Sequence, residues 1–263
     1  MEAVYKDNEN IEASPTSAFK FMKIFRGLYT AYGLVVFAIL FFIFFPLLMI
    51  PILFKKQFHL TGIFNRWWAR SIFTLIGLPW KLIYKGKLKK DQQYIFCPNH
   101  FSYLDIVIMG LNTHNTIFVG KNDMEKIPLF GFMYRSLHIT VDREKLKSRY
   151  ATMIKSLRAL DEGKSLVIFP EGGIITEKDP IMSKFKDGAF RASIEKQIPI
   201  VPVTIPFNWI ILPPDEFLLK WKPMKLIFHD PIYPNGYSLD NIDEMKEKVK
   251  GVIQAELDRH LIK

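Results

Sequence analysis

The chain has 263 residues, 36 Lys and Arg against 26 Asp and Glu, and a formal net charge of +10. Hydrophobic residues make up 49% and charged residues 24%, which excludes disorder as the main state and leaves room for one to two folded domains. The lone cysteine, Cys97, excludes an intramolecular disulfide and a cysteine-only metal cage and points to a reducing compartment.

The charge is segregated along the chain. Residues 1–31 hold four bases and four acids, residues 32–54 hold no charge, residues 55–90 hold nine bases and no acid, and residues 91–263 hold 23 bases against 22 acids. A protein that reads nucleic acid carries its basic excess on the domain that meets the duplex. Here the excess follows an apolar run, so anionic lipid headgroups are the expected partner and nucleic acid is not.

The run YGLVVFAILFFIFFPLLMIPILF at 32–54 would be about 35 Å long as a helix, against roughly 30 Å of bilayer hydrocarbon. It is a poor cleaved signal peptide, because the segment before it has no net charge and no small-residue cleavage site follows. Pro46 and Pro51 would kink or break a helix, which favours a hairpin dipping into one leaflet, with the stretch 71–80 as companion, over a single span. Trp67, Trp68 and Trp80, beside Arg66 and Arg70, suit a membrane interface. The basic excess keeps the region after residue 90 on the cytoplasmic side. A buried core helix followed by a solvated loop is the alternative, and nine bases without one acid argue against it.

From about residue 91 short apolar runs alternate with helical patterns. Residues 94–97, 116–120, 138–141, 165–169, 198–205 and 224–228 read as strands. Residues 149–160 read as a helix with Tyr150, Met153, Ile154, Leu157 and Leu160 on its apolar face and Gly163 beyond its end. A last helix, with Asp240 as its N-cap, carries Ile242, Met245, Val249, Ile253 and Leu257. The expected architecture is α/β: a largely parallel sheet flanked by helices, preceded by a helical membrane-anchoring segment. The divisions are an N-terminal segment at 1–31, an anchoring region at 32–90 and an α/β domain at 91–263.

Three segments carry candidate chemistry. In CPNHFSYLDI, 97–106, a strand-to-helix turn can fold Asp105 back onto His100, and a carboxylate on one ring nitrogen orients the imidazole as a base. Taken singly, such a pair is more often structural. Cys97 reads as a buried strand residue and Ser102 as a brace of the turn. In VIFPEGGI, 167–174, paired glycines after a strand let backbone N–H groups approach a ligand oxygen, although a lone Glu-Gly-Gly is more often an ordinary turn. In FVGKNDMEKIPLFG, 118–131, Lys121 directly follows a strand, where it could meet an anion or serve as a surface lysine.

Together and in this order the segments are more specific. NHFSYLD resembles the NHxxxxD motif of the glycerolipid acyltransferases, the 1-acylglycerol-3-phosphate (lysophosphatidate) acyltransferase family. Lys121 to Gly131 followed by Ile139-Thr140-Val141-Asp142-Arg143 resembles that family's second block, FPEGG its FPEG block, and KFKDGAF with IPIVPVTI its last blocks. The similarity covers about residues 90–232. It implies His100 as the catalytic base with Asp105 as its partner, and Asn99, Ser102, Lys121, Arg143, Glu171, Gly172 and Gly173 at the substrate site. Where the family commonly has Thr then Arg after Glu-Gly, this chain has Gly173 and Ile174. Lys121 and Arg143 are therefore expected to carry the acceptor's phosphate. Leu137-His138 stand where the second block usually has a Gly, and His138 reads as a strand residue.

The implied reaction moves a fatty acyl group from acyl-CoA or acyl-ACP to the sn-2 hydroxyl of lysophosphatidate, giving phosphatidate. His100 takes the hydroxyl proton and returns it to the thiolate leaving group. No cofactor and no metal are expected: the six histidines have no ligand spacing. Partners are membrane lipids, the lyso-lipid acceptor and the acyl donor. Transfer to another lyso-lipid or an aminolipid is the nearest competing reading, and a non-catalytic membrane lipid-binding protein is the competitor of another class.

Overall fold

The structure, a computed structural model, describes residues 17–121, 125–142, 145–175 and 180–261. Arg143 lies outside these residues. Helix α1 (Ser17–Leu53) is 37 residues long, with Pro46 and Pro51 inside it. The reversal expected at the two prolines does not occur there. Phe44 and Leu48, flanking Pro46, are buried, so packing carries the helix past the missing N–H. The chain instead turns through the polar segment Lys55–Gln57, and α2 (Leu60–Leu75) returns against α1. The hydroxyls of Tyr29 and Tyr32 donate to the carbonyls of Ile76 and Leu75, fixing the antiparallel pair at its open end.

α1 is apolar all round and long enough to cross a membrane by length and composition. One face, with Val36, Leu40, Phe44 and Leu48, is buried against α2 and α4 (Phe130–Leu137), while Phe25, Leu28, Tyr32, Val35, Ile39 and Phe42 stand exposed on the other at helical spacing. Monomeric soluble proteins rarely expose an apolar stripe of this size.

Seven strands form one mixed sheet in the order β1-β7-β6-β2-β5-β3-β4. They are β1 (Trp80–Tyr84), β2 (Ile95–Pro98), β3 (Thr116–Lys121), β4 (Ile139–Val141), β5 (Ser165–Ile168), β6 (Ile200–Thr204) and β7 (Met224–Phe228). Every neighbouring pair is parallel except β6 with β7, so the edge pair β1 and β7 runs against the other five. Six strands lie on runs expected from sequence. The seventh, β1, comes from the region placed with the anchor: it pairs with β7 from Trp80↔Met224 to Tyr84↔Phe228, so the sheet begins before residue 91.

Alternation along the strands splits the core in two. On β2, Phe96 faces the layer under α1, α2 and α3 (Leu104–Met109), while Ile95 and Cys97 face the layer under α5 (Leu146–Asp161), α6 (Gly188–Lys196) and α8 (Ile242–Leu261). A one-turn helix, α7 (Asn208–Ile211), follows β6. α8 buries Met245, Val249, Ile253 and Leu257 as expected, but it starts at Ile242, after Asn241, so Asp240 does not stand at its cap. α5 meets the expected face in part: Leu160 is buried, and Met153 and Leu157 pack half-buried against the core. Thr152, Ser156, Ala159 and Leu160 are buried, while Tyr150 and Ile154 are exposed, because small residues let the helix sit close to the sheet.

Candidate active site

β2, β5, β3 and β4 are neighbours and parallel, so the segments after them open on the same edge of the sheet, the usual place for ligands in α/β folds. In that order the edge presents His100, then Glu171 and Gly172, then Lys121, then the segment entering Arg143. Four stretches far apart in sequence are thus brought side by side, about 4.8 Å per strand step.

His100 and Asp105 form the pair expected from their spacing. His100 Nδ1 lies 3.1 Å from Asp105 Oδ2, and the same oxygen accepts the backbone N–H groups of Phe101 and Ser102, each at 2.8 Å. An oxygen that gathers N–H donors takes its third from the ring, so Nδ1 carries the proton and Nε2 keeps its lone pair. The imidazole stacks on Phe169, with centroids 4.0 Å apart and planes at 24°, which fixes its second degree of freedom. Asp105 is fully buried and His100 is 8% exposed, so the ring can be reached from one side only.

Glu171 is also fully buried. Its Oε1 accepts His100 N–H at 2.8 Å, and its Oε2 accepts the N–H and hydroxyl of Ser183, each at 3.1 Å. Burial pushes its carboxyl above the usual carboxylate range, and those donated bonds oppose the push. Glu171 thereby ties the histidine turn to the segment before α6. Gly172 follows with φ +82°, a conformation that suits glycine, and half-buried Gly173 continues the turn.

Asn99 and Ser102, expected to touch substrate, are instead completely buried and engaged by the scaffold. Asn99 exchanges two hydrogen bonds with the backbone of Ile205, and the Ser102 hydroxyl donates to Leu212 O at 2.8 Å. Each gives a partner to main-chain groups beyond the strand ends. Lys121 ends β3 with its side chain exposed at the rim. Cys97 is buried on β2, and burial pushes its thiol far above the ordinary range, so it cannot supply a thiolate. His138 accepts Phe118 N–H through Nδ1, and burial lowers its pKa to about 4, which fits a neutral structural residue.

The tryptophans separate. Trp67 is 51% exposed on α2. Trp68 packs half-buried on Phe37, with ring centroids 5.2 Å apart, and Trp80 packs half-buried on Phe73 at 6.1 Å. Arg66 donates to the carbonyls of Asn112 and Thr113, capping the turn after α3, while Arg70 remains exposed on α2.

Sequence reading missed a cavity of about 470 Å³ between the hairpin and the sheet. Tyr103 and Leu104 from the His100–Asp105 turn form part of its wall, and Phe37, Ala69, Val107 and Met133 line it further in. Its lining is almost wholly apolar. Two more open clefts, around His229 and around Asp161, lie away from His100. Among the described residues no group of three or more His, Cys, Asp or Glu is placed to hold a metal ion.

The oriented imidazole thus stands beside a glycine turn at the sheet edge, and the turn that carries it also contributes Tyr103 and Leu104 to an apolar cavity. Residues 81–206 match the Acyltransferase family. The chain is 30% identical over 211 residues to a 1-acyl-sn-glycerol-3-phosphate acyltransferase of Haemophilus influenzae, covering 77% of this chain and 85% of that protein. It is 29% identical over 198 residues to a protein of the same description from Saccharomyces cerevisiae, covering 74% of this chain and 65% of the relative. The fold is similar to the crystal structure of the 1-acyl-sn-glycerophosphate (LPA) acyltransferase PlsC from Thermotoga maritima, with a TM-score of 0.74 at 20% identity over 93% of this chain and 98% of that one. The chain belongs to the Acyltransferase family, and it is an O-acyltransferase.

Proposed function

We propose that the protein transfers a fatty acyl group from a thioester donor, acyl-CoA or acyl-ACP, to the sn-2 hydroxyl of lysophosphatidate. The observation that carries this reading is the His100–Asp105 pair, locked by three donors on one carboxylate oxygen, in a turn whose Tyr103 and Leu104 help wall an apolar cavity. The acyl chain lies in the cavity between hairpin and sheet, with its carbonyl at the His100 end. His100 Nε2 takes the acceptor's hydroxyl proton as the oxygen attacks the thioester carbon. The tetrahedral intermediate collapses, the C–S bond breaks, and the imidazolium returns its proton to the leaving thiolate. Asp105 holds the ring and stabilises its positive charge. No protein nucleophile takes part, because Cys97 is buried and the Ser102 hydroxyl donates to Leu212. Lys121 and Arg143 supply positive charge for the acceptor phosphate.

The enzyme sits on the cytoplasmic leaflet with α1 and α2 in the interface. Contacts between α1 and the α/β domain run from Arg26, which pairs with Glu216 at 2.6 Å, to buried Leu48. A helix tied to its domain along about 33 Å of its length is poorly placed to cross the bilayer on its own. Its outer apolar stripe and the tip bases Lys55 and Lys56 suit a helix lying in one leaflet. The test is acyl transfer by the membrane-bound protein from labelled acyl-CoA and acyl-ACP to a panel of lyso-acceptors. Phosphatidate as the main product is the expected result. A preferred acceptor lacking the phosphomonoester would redirect the reading to another lyso-lipid.

A further inference from the structure

The usual arginine after Glu-Gly is absent here, and Ile174 offers no donor. A second cation reaches the same turn by another route. Lys186 lies on the strap before α6, and its stem crosses the bare face of Gly172: a methyl at that glycine would meet Lys186 Cγ at 3.3 Å and Cε at 3.7 Å. Three bonds lace the strap to the turn. Lys186 N–H donates to Pro170 O at 2.8 Å, and Ser183 N–H and Oγ–H both donate to Glu171 Oε2. The other oxygen of that carboxylate holds His100 N–H, so the strap and the base are positioned by one group.

The neighbouring charges on the strap are otherwise engaged. Asp187 pairs with Lys246 at 2.8 Å, and Lys184 lies within electrostatic reach of Asp243. Among the described residues Lys186 has no carboxylate within ion-pair distance, so none of them neutralises the ammonium that Gly172 lets onto the turn. We infer that Lys186 is an acceptor-binding residue: its ammonium contacts the phosphate of lysophosphatidate over the Glu171-Gly172-Gly173 turn, in place of an arginine at position 174. This assignment rests on the lysophosphatidate reading. It also gives Gly172 a second reason to be glycine, since any side chain there would displace the lysine stem.

The test uses the full-length protein in detergent, in two arms. The first measures equilibrium binding of soluble short-chain lysophosphatidate to the His100→Ala protein, with and without Lys186→Met, which keeps the stem and removes the charge. Loss of a charged hydrogen bond predicts a Kd raised about 10- to 100-fold. The second measures turnover: Lys186→Met should raise KM for lysophosphatidate by a similar factor, leave kcat and the KM for the acyl donor within about twofold, and be largely rescued by Lys186→Arg. An unchanged Kd with a folded protein, or equal effects on both substrates, overturns the assignment. Binding that depends on Lys186 while the wild type transfers no acyl group to lysophosphatidate upholds the assignment and overturns the reaction.

Discussion

At the end of β2 every polar side chain is tied to main-chain atoms: Asp105 to two N–H groups and the ring, Asn99 to Ile205, Ser102 to Leu212, Glu171 to His100 and Ser183. In the α1–α2 hairpin the reverse holds. Its outer residues Phe25, Leu28, Val35 and Phe42 are each more than half exposed, and its inner face covers a cavity that side chains do not fill. The floor is held in place as folded, with the three donors gathered on Asp105 Oδ2 while its Oδ1 has no partner among the described residues, and such fixing is what positioning a base within hydrogen-bond reach demands. On the proposed function the hairpin is completed by hydrocarbon, outside from lipid and inside from an acyl chain. Chemistry and substrate capture are thus assigned to separate parts that meet at Tyr103 and Leu104.

Breaking the floor has the largest expected effect. His100→Ala should lower acyl transfer by about 10²- to 10⁴-fold, with a modest fall in melting temperature from the lost stacking on Phe169. Asp105→Ala should lower it less but also destabilise the fold, because the N–H groups of Phe101 and Ser102 lose their acceptor at a cost of about 1–3 kcal/mol each. Rates with both substrates and a thermal melt separate the two variants.

The core beside the floor carries its own pH signature. Burial holds His138 and His229 near a pKa of about 4, below the unfolded value of 6.5. The unfolded chain therefore binds more protons between pH 6.5 and 4, and stability present above pH 6.5 is lost as pH falls toward 4, by about 3 kcal/mol per histidine. Denaturant unfolding across that range should give this slope, and His229→Gln should reduce it by one proton; an unchanged slope would contradict the assignment.

Filling the hairpin's cavity sharpens the contrast. Val107→Phe, on its wall, should leave transfer of short acyl chains near wild type and disfavour chains longer by two methylenes about 15-fold, at roughly 0.8 kcal/mol per CH₂. A uniform loss at all chain lengths would mean the cavity does not hold the chain. The smallest effect belongs to Cys97→Ala. Activity should stay within about twofold, as expected for a residue chosen for packing. Abolished turnover in a folded variant would reopen an acyl-cysteine route.

The floor was legible in the sequence because its chemistry demands particular residue types at close spacing: His100 and Asp105 are five apart, and the Glu-Gly-Gly turn adjoins its strand. Their hydrogen-bond partners were not. Ser183, Ile205 and Leu212 are distant in sequence and chemically ordinary, so the scaffold role of Asn99 and the partner of Ser102, already read as a brace, emerged only from the fold. β1 was hidden because Trp80–Tyr84 sits among the bases that mark the anchor, and a single edge strand without alternation carries little signal. The face of α5 was misjudged in part, because its buried side includes Thr152, Ser156 and Ala159, while the apolar Tyr150 and Ile154 point outward. The hairpin turn was sought at Pro46 and Pro51, yet packing on Phe44 and Leu48 outweighs the proline penalty, and the charged Lys55–Gln57 segment makes the reversal.

The central claim is that His100 and Asp105 act as one unit in direct, base-assisted transfer. A double-mutant cycle tests it: wild type, His100→Ala, Asp105→Ala and the double variant, each assayed for kcat/KM with lysophosphatidate at saturating acyl donor. If Asp105 works through His100, the double variant should be no slower than His100→Ala alone, within about twofold. Losses that multiply, so that the double variant falls by the product of the single effects, would contradict the account, as would a wild-type rate in a folded His100→Ala protein.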